Sequence, residues 1–242
     1  MGVITFNNIT SSSIGIEVET FPEYTVPEKE YQVSHIPGRN GDLVVDTGTY
    51  KNVPRPYTVS VATHNQETFT EKMNKVAEWL HSASGYARLE DTYEPNYYRM
   101  AYYSEELSIE NLFNEAGRAT INFTCKPQRY LKSGETPITF TEEGTIQNGT
   151  GFASSPIIIV TTDNTQGSVT IGNQSFGIKA GAGTDPITVN CELEDAYSGT
   201  TNKNSYIILN YGEFPKIYPG TQTVTFDGGV QSVEVIPKWW TI

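Results

Sequence analysis

The fold class is decided by the stretch Ile157-Ile158-Ile159-Val160, which opens a series of short apolar runs in the second half of the chain. Gly, Asn and Asp separate these runs, at the spacing of about 8–12 residues that is typical of a β-sandwich. The later runs are 169–171, 176–178, 187–189, 206–209, 223–226 and 230–236. This half shows no helical stripe, so we expect it to be a sandwich.

The first half of the chain shows the alternation of half-buried strands. Ile14, Ile16 and Val18 are separated by Gly15 and Glu17. The stretches 57–61 and 119–123 repeat this period of two. A period of two places alternate side chains on one face of a sheet, so we expect strands here as well.

One amphipathic helix is predicted over residues 66–83. Phe69, Met73, Val76 and Leu80 form an apolar stripe at helical spacing. Glu71 and Lys75 are expected to pair one turn apart on the opposite face, with Thr63 or Asn65 as the cap and Gly85 as the stop. We expect this helix to cover one face of a sheet.

A change in composition near residue 133 predicts a domain boundary. The stretches 133–137 and 148–151 are rich in turn-forming residues, and a short strand is expected between them at 138–140. We therefore divide the chain into two β-rich domains, 1–133 and 134–242. The predicted fold class is mainly β, with an amino-terminal domain that carries the one α-helix and a carboxy-terminal β-sandwich.

Charge and hydropathy exclude several classes of function. The chain has 242 residues, with 16 Lys and Arg against 28 Asp and Glu, for a net charge of −12. Such a balance argues against specific nucleic-acid binding, which needs clustered cations. No apolar run reaches the length of a membrane span, so no membrane insertion is expected. The first residues lack the pattern of a signal peptide.

The sequence offers no recognisable catalytic, cofactor-binding or metal site. Nucleophile, metal and nucleotide motifs are absent, and the three histidines have no ligand-like neighbours. Cys125 and Cys191 lie far apart, and we expect both to be reduced packing residues. The acidic pairs do not establish the opposed carboxylates of a glycosidase. We therefore expect no enzyme and no cofactor.

Aromatic residues suggest binding instead. Tyr97 and Tyr98 belong to a crowded tyrosine region between residues 93 and 103, and Trp239-Trp240 lies near the end of the chain. Such rings pack in cores, form hot spots at subunit interfaces, or stack on sugars. We weigh core packing first and keep Tyr97 and Tyr98 as interface candidates.

A loop in the first half completes the set of interface candidates. It reads His35-Ile36-Pro37-Gly38-Arg39-Asn40-Gly41-Asp42-Leu43. Proline fixes one backbone angle, the glycines allow positive φ, and the two charged side chains have opposite sign. The candidates in this loop are Pro37, Gly38, Arg39, Gly41 and Asp42.

Several stretches in collinear order give the chain a family resemblance. After the 35–43 loop come Arg88-Leu89-Glu90-Asp91, then 95–101, ending in Arg99-Met100-Ala101, and then 123–131, which contains Lys126-Pro127-Gln128-Arg129. The second half adds 193–197, 214–220 and 235–240. In this order they resemble the distal tail proteins of long non-contractile-tailed bacteriophages, or siphophages, especially those that infect Gram-positive hosts.

The resemblance implies a structural hub located at the distal end of the phage tail. It implies an amino-terminal domain that closes into a hexameric ring, with a channel for DNA, and a galectin-like carboxy-terminal sandwich. The implied partners are further copies of the chain, the tail tube protein, the tail-associated tip protein and a receptor-binding protein. Assembly is expected in the cytoplasm of the host bacterium, with isolated copies monomeric until the tail partners are present.

Two other functions remain open at this point. The carboxy-terminal domain could be a lectin-like module that binds host cell-surface glycans. A tail-associated hydrolase ranks last, because no acid–base or metal pattern appears. The sequence names neither host nor receptor.

Overall fold

The computed structural model describes residues 2–63, 67–112, 116–210 and 212–242, with only the backbone described at 110–112. Residue contacts divide the chain into two compact units. The amino-terminal unit is Met1–Arg129 together with Ile242, and the carboxy-terminal unit is Tyr130–Thr241. The fold is mainly β, as predicted. Among the described residues, no helix combines the length and apolar character needed to cross a bilayer.

The amino-terminal unit is a curled sheet. Its strands pair in the order β2-β1-β7-β8-β10-β6-β3, and β9 also pairs with β10. The strands are β1 (Ile4–Phe6), β2 (Ile9–Thr10), β3 (Ile16–Val18), β6 (Val53–Ala62), β7 (Ala87–Asp91), β8 (Tyr97–Tyr102), β9 (Glu110–Leu112) and β10 (Ala116–Leu131). A 3-10 turn, Ser11–Ile14, precedes β3. The predicted strands at 57–61 and 119–123 lie in β6 and β10.

The curl brings the two ends of this sheet together. Gly2, just before β1, exchanges two backbone hydrogen bonds of 3.3 Å with Val18 in β3. A side chain at Gly2 would collide with the ring of Tyr93, since an added Cβ would lie 2.3 Å from its hydroxyl oxygen. Any larger residue at Gly2 would therefore have to displace the Tyr93 ring where the sheet closes into a barrel-like shape.

The helix α1 (Phe69–Leu80) packs its apolar stripe against this sheet. Val76, Trp79 and Leu80 are almost fully buried among Phe6, Phe123 and their neighbours, and the indole N–H of Trp79 donates to the Phe6 carbonyl at 3.3 Å. The helix is shorter than the predicted 66–83, and it ends at Leu80 with His81 as the C-cap, not at Gly85.

The cap of α1 differs from the sequence prediction. Thr68 is the N-cap: its hydroxyl accepts from the Glu71 N–H, and the Glu71 carboxylate accepts from the Thr68 N–H. This reciprocal capping box takes Glu71 away from Lys75, which pairs with Glu67 at 2.5 Å instead. Thr63 does not cap the helix, and Asn65 lies outside the described residues.

Removal of this cap gives a first testable expectation. Thr68→Ala should lower the free energy of unfolding by about 1 kcal/mol, because the N–H of Glu71 loses its acceptor. Denaturant unfolding measures the difference. Thr70→Ala, at an exposed position inside the first turn, is the matched control and should change stability much less. Equal losses in both variants would contradict the capping role.

A separate two-stranded sheet projects within the amino-terminal half of the chain. It consists of β4 (Lys29–Ser34) and β5 (Leu43–Tyr50), joined by the loop at 35–42. We call β4, β5 and this loop the ribbon. The alternation signal does not predict it.

The carboxy-terminal unit is built on two long strands. These are β13 (Ile157–Ile171) and β19 (Gly220–Ile236), which pair along their length through a bulge between Thr161 and Gly167. The other strands are β11 (Ile138–Phe140), β12 (Gly144–Asn148), β14 (Gln174–Ile178), β15 (Ile187–Asn190), β16 (Asp195–Ser198), β17 (Thr201–Asn202), β18 (Ile207–Leu209) and β20 (Trp240–Thr241). Two 3-10 turns lie at Lys132–Glu135 and Asn204–Tyr206.

The long strands give the sheet two arms with one core. The first half of β13 pairs with β15, and its second half pairs with β14. Side chains from both arms, such as Ile158 and Val189 from one and Val169 and Phe176 from the other, belong to one cluster of buried residues. The two arms therefore share one buried core, and a β-sandwich for this unit stays a prediction.

Candidate assembly surface

The ribbon exposes apolar side chains at positions where polar side chains are typical of a sheet in contact with water. Val33, Val44 and Val45 are 57%, 56% and 48% exposed, and residues 31–49 are exposed throughout. The register pairs Val33 with Val44, and Gln32 with Val45. Side chains of directly paired residues share a face, so Val33 and Val44 lie on one face and Val45 on the other. Both faces of the ribbon therefore carry apolar groups.

Polar contacts hold the two strands of the ribbon in register near its base. The Thr47 hydroxyl donates to the Glu30 carbonyl at 2.8 Å, and the Lys29 ammonium pairs with Asp46. Just beyond the strands, the Lys51 ammonium lies 2.9 Å from the Glu28 carboxylate. The ribbon is thus defined by local contacts, and its residues 31–49 belong to neither of the two buried clusters found among the described residues.

The tip of the ribbon contains five of the predicted interface residues. Gly38 and Gly41 have φ of +81° and +79°, so both use the left-handed conformation that glycine allows. The carboxylate of Asp42 lies 3.2 Å from Nδ1 of His35. Pro37 and Arg39 are exposed, and no ion pair of Arg39 is present within the described part of the chain.

The two candidate tyrosines belong to the barrel-like sheet, on β8. Tyr98 is only 5% exposed, and the guanidinium of Arg88 lies 3.8 Å from its ring centroid. Tyr97 is half-buried, and the guanidinium carbon of Arg129 lies 4.9 Å from its ring centroid. The structure therefore brings the five loop residues together at the ribbon tip and leaves the tyrosines in another sheet. An interface role for these seven residues stays a prediction.

A buried ion network lies behind Tyr97, and sequence reasoning missed it. Glu94 accepts from three guanidinium groups: Arg55 at 2.9 Å, Arg99 at 3.1 Å and Arg129 at 2.5 Å. Arg55 also contacts Asp91 at 3.0 Å. The arginines are at most 13% exposed. Arg99, Asp91 and Arg129 come from the very stretches that carry the family resemblance, so these stretches specify a buried network.

Tyr57 completes this network from β6. Its hydroxyl donates to the Asp91 carboxylate at 2.6 Å. Burial, together with the neighbouring Asp91, raises the pKa of Tyr57 well above its ordinary value, so the phenol stays protonated. Burial alone would raise the pKa of Asp91 too, but the hydrogen bond from Tyr57 and the pairing with Arg55 outweigh it and hold that pKa below its ordinary value.

The lowered pKa of Asp91 predicts a loss of stability in acid. An ionised carboxylate with a lowered folded pKa stabilises the fold above its unfolded pKa, about 3.9, and loses this effect as pH falls through the folded pKa. Asp91→Asn should lower the melting temperature near neutral pH, and the gap to the original protein should narrow below about pH 4. Melting curves at a series of pH values measure this. A gap that is independent of pH would contradict it.

The remaining sequence candidates pack inside their own units. Burial raises the pKa of the Cys125 and Cys191 thiols to about 12, and neither forms a disulfide. Trp239 is 9% exposed, and Trp240 stacks on Phe152 with ring centroids 4.4 Å apart. The tryptophans therefore do not form an open platform for a sugar. Within the described residues, no group of three His, Cys, Asp or Glu could hold a metal ion.

Similar folds are found among phage tail proteins. Over its full length the chain matches the Dit protein of phage SPP1, described as a paradigm of hub adsorption apparatus in phages that infect Gram-positive bacteria, with 14% identity, a TM-score of 0.72 and 100% of both chains covered. A chain of the activated baseplate of phage P2 with Ca matches with 11% identity, a TM-score of 0.56 and 97% of both chains covered.

A second structure of that activated baseplate, with Sr, gives 11% identity, a TM-score of 0.54 and coverage of 96% of this chain and 97% of the other. No curated protein sequence matches the chain. Residues 9–125 match the family described as phage tail protein RIFT-related domain. The resemblance to siphophage distal tail proteins is thereby confirmed, and residues 9–125 are the part of the chain that carries the family match.

Proposed function

We propose that this protein is a structural subunit of a phage tail tip, which assembles through its ribbon into a closed ring. The observation that carries the proposal is the ribbon, a two-stranded sheet with apolar side chains exposed on both faces. The family match and the shared fold support a place at the tail tip or baseplate.

The ribbon needs a partner for physical reasons. A two-stranded sheet alone in water is marginally stable, and its unpaired edges are templates for further pairing. Covering the two faces removes Val33, Val44 and Val45 from water, and each such side chain contributes about 1.5–3 kcal/mol when its burial is complete. Both faces carry apolar side chains, so we infer that the ribbon is enclosed on two sides.

A second copy of the chain is the occupant that fits a ring. The ribbon of one subunit would contact a different surface on the next, which is a heterologous contact. Repetition of such contacts gives a ring when the rotation closes. Six copies per ring follow from the family resemblance. We assign closure to the amino-terminal domain, residues 1–133, because it contains the ribbon.

The remaining partners follow from the same position in the virion. One face of the ring joins the tail tube protein and the other joins the tail-associated tip protein. The galectin-like sandwich, residues 134–242, projects outward and can carry a receptor-binding protein. Subunits fold in the cytoplasm of the host bacterium and are joined there to the growing tail. Since Trp239 and Trp240 are packed, no observation favours the lectin alternative.

The centre of the ring is proposed as a channel for DNA. Residues 1–133 contain 12 basic and 17 acidic residues, a net charge of −5 per copy. A basic wall would hold the phosphates and slow the passage of DNA, whereas a neutral or acidic wall releases them. Retention of duplex DNA by the purified protein at low salt would contradict this part of the proposal.

Electron microscopy of the full-length protein with its tail tube protein tests the proposed function. We expect ring-shaped particles with six-fold symmetry and a central hole, and the protein at the distal end of isolated tails by antibody labelling. A protein that stays monomeric with its tail partners, or is absent from purified virions, would refute the proposal.

A further inference from the structure

Two Asn-Gly dipeptides occur in very different surroundings in this fold. They are Asn40-Gly41 at the tip of the ribbon and Asn148-Gly149 at the end of β12. Asparagine is one of the thermolabile residues. It is most labile before glycine, because the following amide nitrogen meets no side-chain hindrance when it approaches the carboxamide carbon.

At the ribbon tip, nothing restrains the reacting groups. Asn40 is exposed, and no hydrogen bond of its side chain or of the Gly41 N–H is present within the described residues. An added Cβ at Gly41 would meet no atom within 4 Å. The carboxamide can therefore rotate toward the Gly41 nitrogen while the rest of the protein stays folded.

In the second dipeptide, hydrogen bonds hold the carboxamide of Asn148 in one orientation. The side chain is 2% exposed, and its amide nitrogen donates to the carbonyls of Phe152 and Ile217, both at 2.9 Å. Its carbonyl oxygen accepts from the N–H and the hydroxyl of Thr150, at 2.9 and 2.7 Å. Rotation of the carboxamide would break all four bonds, so reaction there requires local unfolding.

We propose that Asn40 is a site of spontaneous deamidation in the folded protein. The Gly41 nitrogen attacks the carboxamide carbon of Asn40, a C–N bond forms, and the amide nitrogen leaves as ammonia with the proton from Gly41. Water then opens the succinimide at either carbonyl. The product is aspartate, or isoaspartate with its backbone running through the side chain.

The reaction changes the chemistry of the ribbon tip. It adds one negative charge two residues from Asp42, and isoaspartate lengthens the backbone by one methylene group within the turn. The free subunit would therefore accumulate aspartate and isoaspartate at the ribbon tip with time. Any effect of this change on ring assembly rests on the proposed function, whereas the deamidation itself does not depend on it.

Incubation of the full-length protein in mildly alkaline buffer tests the chemical step. Digestion after lysine yields the peptides 30–51 and 133–179, which contain the two dipeptides intact. Mass spectrometry with fragment-ion assignment follows the amide loss at each. We expect Asn40 to convert on the order of tenfold faster than Asn148, since only Asn148 must wait for local opening. In urea both should convert at similar rates.

Two results would overturn the proposal: conversion of Asn40 no faster than that of Asn148 in the folded protein, or conversion of Asn40 in urea alone. Asn40→Gln controls for amide loss elsewhere in the peptide 30–51. Asn40→Asp, which mimics one product, tests the effect on assembly separately. If Asn40→Asp assembles normally, Asn40 is still a deamidation site, but the added negative charge has no effect on assembly.

Discussion

Val33→Asp and Val44→Asp are each expected to prevent incorporation of the protein into phage tails while leaving its fold intact. Both side chains are more than half exposed in the single chain, so aspartate there remains hydrated and the melting temperature should move by no more than about 2 °C. In the proposed ring the same carboxylate would be buried without a partner. That costs several kcal/mol at each interface, and a ring repeats the cost in every subunit.

Tail incorporation is measured by complementation of a phage that lacks the gene, followed by electron microscopy of the particles. We expect the yield of intact tails to fall tenfold or more, on the order expected for the loss of a few kcal/mol of binding. Leu193→Asp is the matched control, since Leu193 is 70% exposed in the carboxy-terminal unit. Normal tails with both ribbon variants, or equal failure of the Leu193 variant, would argue against the ribbon as the assembly element.

Glu94→Gln is expected to destabilise the amino-terminal unit strongly. Glu94 is the shared partner of Arg55, Arg99 and Arg129, and a neutral amide would remove the negative charge that these three buried guanidinium groups contact, while Arg55 keeps its pairing with Asp91. Breaking a buried pair in this way typically costs about 3–5 kcal/mol. Several degrees of melting temperature should be lost.

Calorimetry of the full chain measures this loss, and Glu28→Gln is the control. Glu28 pairs with Lys51 on the surface, where both side chains are more than half exposed, and its removal should leave the melting temperature essentially unchanged. Similar melting temperatures for Glu94→Gln and the original protein would show that the network is not a stabilising feature.

Much of the sheet structure follows from the period of two and from the short apolar runs in the sequence. The apolar stretches at 138–140, 157–160, 176–178 and 187–189 all lie within strands of the carboxy-terminal unit. Periodicity does not show where one strand continues through a polar segment. The polar residues 163–166 are exposed and resemble a turn, yet β13 continues through them as one bulged strand from Ile157 to Ile171. The bulge breaks the alternation without ending the strand.

The ribbon could not be predicted in the same way, for the opposite reason. Alternation appears in a sequence when one face of a strand is buried, and β4 and β5 bury neither face in the single chain. Leu43, Val44 and Val45 are consecutive, which is typical of a strand covered on both sides. We interpret that pattern as a signal of the proposed assembled state, since it has no counterpart in the burial of the single chain.

The ion network was hidden because its members are far apart in the sequence. Arg55, Asp91 and Arg129 lie on or directly beside three different strands, and each alone resembles a surface charge. One sequence signal could have indicated them. Asp91, Glu94 and the three arginines all occur in stretches that are otherwise rich in apolar and aromatic residues. Tyr98 shows the same limit, since its burial beneath Arg88 is a property of the folded sheet.

The two long strands of the carboxy-terminal unit determine how it can come apart. Since β13 and β19 run through both arms of the sheet, neither arm can lose its order without breaking a strand that the other arm also uses. The amides of β13 on either side of the bulge should therefore exchange with solvent at one common, slow rate, as members of a single cooperative unit. At the proposed position in a tail tip, this unit should therefore unfold as a whole under mechanical load and not one arm at a time.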